Sequence, residues 1–223
     1  SLAFYWANRL CGNEQGATAI EISLGGLELL AQVDCVIAVT GAPMPLRVNG
    51  QPKACWQSFL VKAGDTIHLG YSSAGVRCYL AVAGGFDIKA SFGSTATVCR
   101  ESVGGINGGK LLQHDVLPCQ VMSKIDISSK QLMLAESDQP RYANEVLLHT
   151  VLGCQQAHFS SIDKRSFFSS EYHVSKHWDR MGYRLQGRAI KSDVEGILSE
   201  GICFGAVQIP ADGQPIVLLN DRQ

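Results

Sequence analysis

Short apolar runs, each closed by Gly, Pro, Asn or Asp, restrict the fold of this chain more than any other feature. AIEISL (19–24), CVIAVTG (35–41), SFLVKAGDTIHLG (58–70) and VRCYLAVAGG (76–85) are too short and too closely spaced for βαβ units. They read as strands of barrels or sandwiches. Asn49-Gly50 is the dipeptide of a two-residue hairpin, and Ala63-Gly64-Asp65 marks a second tight turn. Helix is expected in two places. Residues 1–10 space Leu2, Tyr5, Trp6, Arg9 and Leu10 helically before a stop at Gly12-Asn13, and 161–170 carries start signals at Ser161 and Asp163.

A polar stretch at 120–144 reads as a linker or junction, followed by a new strand, EVLLHTVLG (145–153). AVQIP, a turn at Asp212-Gly213 and PIVLLN return to strands at the end. The expectation is a mainly β chain in two units, residues 1–140 and 141–223.

With 223 residues, no metal or disulfide staple is needed to hold a core. Nineteen basic against 20 acidic residues give a net charge of -1, without the basic stripe of a nucleic-acid or membrane binder. The eight cysteines form no CxxC, and Cys35 and Cys78 sit inside apolar runs. They read as buried thiols of a reducing compartment, so the cytoplasm is the expected location. No apolar stretch is long enough to span a membrane, and no signal peptide opens the chain. Both ends, SLAFYWANRL and LLNDRQ, read as cut.

Several motifs carry a tempting chemistry. GGINGGK (104–110) satisfies GxxxxGK, but Leu111 replaces the Ser or Thr that would hold magnesium, so a plain glycine-rich loop is expected. His173 and His177 in HVSKH lack the Glu of HExxH, and Val174 favours a strand, so no metal site is expected. His68 and His149 read as core or edge histidines. GYSSAG, with Ser72-Ser73, misses the GxSxG spacing of a hydrolase elbow.

HWDRMGYRLQG (177–187) and SEGICFGAVQIPADGQPIVLLNDRQ (199–223) gather a richer set: Asp179, Arg180, Arg184, Glu200, Gln208, Asp221 and Arg222. Arginine presents a planar fork to a carboxylate, and nearby carboxylates can take a proton or orient water. A purely structural arginine–carboxylate network is the competing reading.

These two segments, together with YLAVAGGFD (79–87), FGS (92–94), ANRLCGN (7–13) and AIEISLGG (19–26), resemble the biotin-dependent carboxyltransferase A/B-domain family. That family includes allophanate hydrolase subunit 2 and the C-type subunit of 5-oxoprolinase. The resemblance runs in the family's order along essentially the whole chain. It implies two cyclophilin-like β-barrel domains with a few short helices.

It further implies one subunit of a cytoplasmic ATP-dependent complex that opens 5-oxoproline to glutamate and is inactive without its partners. Those partners are a smaller subunit of related fold and a lactam-utilisation-type subunit. ATP belongs to the complex and is not assigned to this chain. Two alternatives stay open. One is carboxyl transfer from carboxybiotin to urea or a similar amide, with biotin arriving on another chain because Met122, Ser123 and Lys124 do not form the carrier motif. The other is a non-catalytic partner of a kinase-inhibitor-like subunit.

On this resemblance Arg180, Arg184, Arg222 and Gln208 would bind substrate. Gly84, Gly85 and Gly205 would offer backbone amides to an oxyanion, and Glu200, Asp179 and Asp221 would act on water or a proton. The sequence departs from the family's pattern at His114-Asp115, where Gly-Asp is usual, and in lacking the blocks expected before residue 1 and after residue 223.

Overall fold

A computed structural model of the chain describes residues 1–120, 131–143, 145–194, 196 and 200–222. They form two compact units, Ser1–Val146 and Leu147–Gln223. Met122, Ser123 and Lys124, and much of the stretch read as a linker, lie outside the described residues.

The first unit starts with helix α1 (Leu2–Leu10), whose N-cap Ser1 accepts a hydrogen bond from the Phe4 amide. Its buried residues are Ala3, Ala7, Asn8 and Leu10, while Leu2 and Tyr5 face solvent. The helix expected from the spacing of residues 1–10 is formed, with Ala3, Ala7 and Asn8 joining Leu10 on its buried face. Small alanines let α1 lie close on the sheet, where the Thr40 hydroxyl donates to the Ala3 carbonyl at 2.6 Å.

Eight strands follow: β1 (Ile20–Ser23), β2 (Leu27–Leu30), β3 (Cys35–Gly41), β4 (Leu46–Val48), β5 (Gln51–Lys53), β6 (Ser58–Val61), β7 (Thr66–Leu69) and β8 (Arg77–Val82). They pair antiparallel in two sheets, β1-β8-β3-β6 and β2-β7-β4-β5. One core joins the inner faces of both, with Val39, Val61, Leu69, Leu80 and Val82 almost fully buried. The mainly β architecture is as expected. Among the described residues each ladder is an open run of four strands.

Asn49 and Gly50 both take positive φ (51° and 78°), the geometry a two-residue hairpin between β4 and β5 requires. The Asn49 side chain also ties this hairpin to the next turn, accepting from the Thr66 amide and donating to Asp65. Residues 131–134 bond back to the start of β6, through Ser58 N–H to Leu132 O and Leu134 N–H to Trp56 O. The polar stretch thus adds a short edge to the first unit.

In the second unit a 3-10 turn (Cys154–His158) precedes helix α2 (Ser161–Ser169), capped by Ser160 accepting from the Asp163 amide. The helix lies where the sequence placed it. A four-stranded sheet of order β11-β12-β10-β9 follows from β9 (Tyr172–Val174), β10 (Gly182–Gly187), β11 (Val207–Gln208) and β12 (Ile216–Leu218). Aromatic contacts pack it, Phe167 with Tyr172 and Trp178 with Tyr183.

The strand expected at 145–153 is not formed. No described segment pairs with this run, and Leu147, Leu148 and Val151 are exposed (Val151 at 94%). A hydrophobic run becomes a strand only where a neighbour accepts its backbone groups. His149, expected in an apolar strand, is exposed in the same run, while His68 faces outward from β7.

The cysteines are free thiols. Burial pushes Cys11, Cys35 and Cys78 up to about 12 and Cys55 up to about 11, so they stay protonated and unreactive at neutral pH. No helix among the described residues is long and apolar enough to cross a membrane.

Candidate functional site

The candidate residues of the second unit separate into three groups with different bonding. At the turn entering β10, Asp179 accepts from the amides of Met181 (2.8 Å) and Gly182 (3.3 Å). That is an Asx-type closure of its own backbone. Arg180 and Asp221 form a two-point ion pair, Nε to Oδ2 at 2.7 Å and Nη2 to Oδ1 at 3.4 Å. The Asp221 amide returns a bond to the Arg180 carbonyl, so the pair locks the end of β12 to this turn. Arg222 spends its guanidinium on backbone carbonyls, chiefly Ile202 at 2.6 Å. These four residues spend polar groups on the chain's own backbone or on one another.

Arg184 and Gln208 behave differently. Arg184 on β10 and Gln208 on β11 are both in register with Ile216 of the intervening β12. Cross-strand partners project to the same side of a sheet, so the two side chains flank Ile216 at a backbone separation of about 10 Å. Both are exposed, and neither side chain has a bonding partner among the described residues. A guanidinium fork and an amide on one face, either side of an apolar residue, suit a small ligand carrying a carboxylate and an amide.

Glu200 accepts a hydrogen bond from Gln155 Nε2 at 2.5 Å. Gln155 is the partner that sequence reasoning missed. It is 45 residues away along the chain, and no local signal marks it.

The amides of the three candidate glycines already have acceptors. The amide of Gly84 donates to Asn13 Oδ1 (2.8 Å), that of Gly85 to Val82 O, and that of Gly205 to Leu218 O. An oxyanion needs free donors. These glycines serve positive-φ turns instead, at φ 83°, 75° and 80°.

Residues 104–110 do not fit a nucleotide phosphate. Gly104, Gly105 and Gly108 have positive φ, the Gly108 amide bonds back to Gly104, and residues 110–114 form no helix. The dipole and free amides of a phosphate-binding helix start are therefore lacking. Among the described residues no three His, Cys, Asp or Glu side chains cluster as metal ligands, and His173 lies on β9.

At the departure His114-Asp115, His114 holds φ 73° while Asp115 Oδ2 accepts from the Leu112 amide. Left-handed backbone strains a side-chain-bearing residue, so His114→Gly is expected to stabilise the chain by about 1 kcal/mol. Urea denaturation of the two proteins is the check, and an unchanged midpoint would mean that the loop relaxes.

Comparisons with known proteins agree along the whole chain. The family described as carboxyltransferase domain, subdomain A and B, matches residues 1–223. The C-type subunit of 5-oxoprolinase from Escherichia coli is 36% identical over 221 residues, covering 97% of this chain and 68% of that protein. Its counterpart of the same name from Haemophilus influenzae is 30% identical over 224 residues, covering 100% and 70%. Among solved structures, the K. lactis urea amidolyase superposes with a TM-score of 0.77 at 27% identity, over 99% of this chain and 14% of that one. The chain belongs to the carboxyltransferase family of subdomains A and B.

Proposed function

We propose that this chain is a subunit of a 5-oxoprolinase-type complex, acting on a small lactam with partner subunits. The observation that carries this reading is the 36% identity to the C-type subunit of a 5-oxoprolinase across 97% of the chain. The partners would be a smaller subunit of related fold and a lactam-utilisation-type subunit, and the reaction would be opening of 5-oxoproline to glutamate at the expense of ATP. ATP supplies the driving force for ring opening. No residue described on this chain is assigned to it.

The bonding pattern supports a division of roles. Arg184, unpaired and exposed, takes the substrate carboxylate, and Gln208 in the same row meets the lactam amide. Glu200, whose single bond to Gln155 leaves acceptor capacity free, orients water. Arg180, Asp179, Asp221 and Arg222 position the turn and strand ends that present this face.

The test is to mix the protein with its two partner subunits and measure 5-oxoproline-dependent glutamate release with ATP. Turnover only with all three present supports the reading, and silence from a bound, folded complex sinks it. In an active complex Arg184→Ala should raise KM for 5-oxoproline by about ten- to a hundredfold, the worth of a charge-assisted hydrogen bond, with a smaller change in kcat. Arg180→Ala should instead lower the unfolding midpoint. An unchanged KM in Arg184→Ala would remove Arg184 from the substrate.

A second reading draws support from the family's description as a carboxyltransferase domain and from the urea amidolyase likeness. The same face would then receive urea or a similar amide and accept a carboxyl group from biotin carried on another chain. Carboxybiotin-dependent labelling of the amide, in place of glutamate release, would favour it.

A further inference from the structure

Between β8 and Cys119 the chain makes an excursion, residues 87–118, that holds none of the strands or helices and takes no part in the roles above. Its ends are pinned. The Asp87 amide donates to the Pro118 carbonyl at 2.8 Å, and Phe86 pairs antiparallel with Cys119. Loops of more than about 15 residues without secondary structure of their own are usually functional. This one is also stiff. Val98 and Val103 exchange backbone bonds at 2.8 and 3.3 Å, and a Cβ on Gly104 would strike the Ala96 carbonyl. Thr18 Oγ1 donates to Thr95 Oγ1 at 2.8 Å, which fastens the excursion to the approach of β1.

Backbone strain is concentrated here. Of the six described side-chain-bearing residues with left-handed φ, Phe92, Ser102 and His114 lie in the excursion. Phe92 is the sharpest case. Ser91 and Ser94 exchange bonds at 2.8 and 3.0 Å around Phe92-Gly93, whose φ values of 51° and 77° match the 51° and 78° of Asn49-Gly50. The same left-handed pair is made twice, once with the Asn that suits it and once with a bulky aromatic that does not. Phe92 is 100% exposed, and a Cβ on Gly93 would meet nothing within 4 Å, so the tip stands clear of the described residues. Strained backbone and an aromatic ring in water both cost the isolated chain stability, and an Asn at this position would remove both costs.

A projecting tip has no concavity for a small molecule. Within 87–118, Lys89, Arg100 and Lys110 are balanced by Asp87, Glu101 and Asp115. No excess of positive charge draws the excursion to an anionic lipid surface or a nucleic acid. A rigidly presented aromatic in electrically neutral surroundings is what protein interfaces bury at their centres.

We propose that Phe92 anchors a docking surface for another subunit of the complex, its ring entering an apolar pocket on that subunit. The inference rests on the reading of this chain as one subunit of a 5-oxoprolinase-type complex and adds the point at which it is gripped. The fixed backbone keeps the ring presented, so little conformational freedom is lost on docking.

The test is Phe92→Gly in the full-length protein, because glycine removes the ring and accepts left-handed backbone. Calorimetry measures the affinity of parent and variant for the smaller subunit and, separately, for the lactam-utilisation-type subunit. The variant should unfold at a temperature equal to or above the parent's, yet bind one of the two subunits at least about tenfold more weakly. Tyr71→Ala, which removes an exposed aromatic outside the excursion, should leave both affinities unchanged. Unchanged affinity in Phe92→Gly, or an equal loss in Tyr71→Ala, overturns the anchor while the complex reading stands. A parent that binds neither subunit overturns both. A Phe92→Gly variant that unfolds well below the parent would show the ring covered by its own chain. Binding to phosphatidylcholine vesicles by the parent and not by the variant would show a lipid contact, and either of these two results overturns the proposal.

Discussion

Leu69→Ala is expected to destabilise the first unit by about 3–5 kcal/mol, with loss of cooperative unfolding as the extreme outcome. Leu69 has no exposed surface and sits at the end of β7, in register with Leu27 of β2 and Leu46 of β4. Its side chain fills the seam between the two sheets, where the shared core has few ways to collapse around a void. Truncation loses the transfer energy of the missing carbons and leaves a cavity that neighbours on both sheets border. Guanidinium denaturation followed by Trp fluorescence gives the number. A loss below about 1 kcal/mol would mean that the sheets close over the gap and that the core is less fixed than its burial implies.

Asn13→Ala should cost about 2–4 kcal/mol, a large effect for one polar residue outside the core. Asn13 donates to the carbonyl of Val82 (2.8 Å) and to Asn8 Oδ1 (2.9 Å), and its own Oδ1 accepts from the Gly84 amide. Asn8 in turn, only 1% exposed on α1, donates to the Ala17 carbonyl. The network ties the helix, its C-terminal turn, the approach to β1 and the end of β8 together. Removing its centre strands several groups at once, which costs more than the mean worth of one hydrogen bond. Thermal unfolding monitored by circular dichroism is the check. A Tm like the parent's would show that water replaces Asn13.

The network also changes the meaning of two blocks that carry the family resemblance. ANRLCGN and YLAVAGGFD are joined by the Asn13–Gly84 bond, so their glycines and asparagines are explained by backbone geometry before any substrate is invoked. The sequence offered a clue in Asn8, a polar residue among the alanines of the buried helix face. Its partners Asn13 and Ala17 are close in the chain, but the bonds of Asn13 to Val82 and Gly84 follow only from the chain's return to β8.

Local chemistry made much of the fold legible. Short apolar runs and turn residues located most strands of the first unit, Asn49-Gly50 its hairpin, and Ser161 with Asp163 the start of α2, whose cap is Ser160. Each depends on residues a few positions apart, which a linear reading contains. The exposed run at 145–153 shows the limit of the same reasoning. Val, Leu and Thr favour extended backbone, but pairing needs a neighbour supplied from elsewhere, and none of the described residues supplies it.

The candidate site divides along the same line. By itself, the sequence determined a mainly β chain of the carboxyltransferase family and the segments in which the arginines and carboxylates lie. Only the tertiary structure decided which arginine is committed. Asp221 takes Arg180 across 41 residues, the Ile202 carbonyl takes Arg222 across 20, and Arg184 is left on an open face beside Gln208 because β12 runs between their strands. Residue type sets what a side chain can bind. Whether it is free to bind depends on which distant backbone or carboxylate folding brings within 3 Å of it.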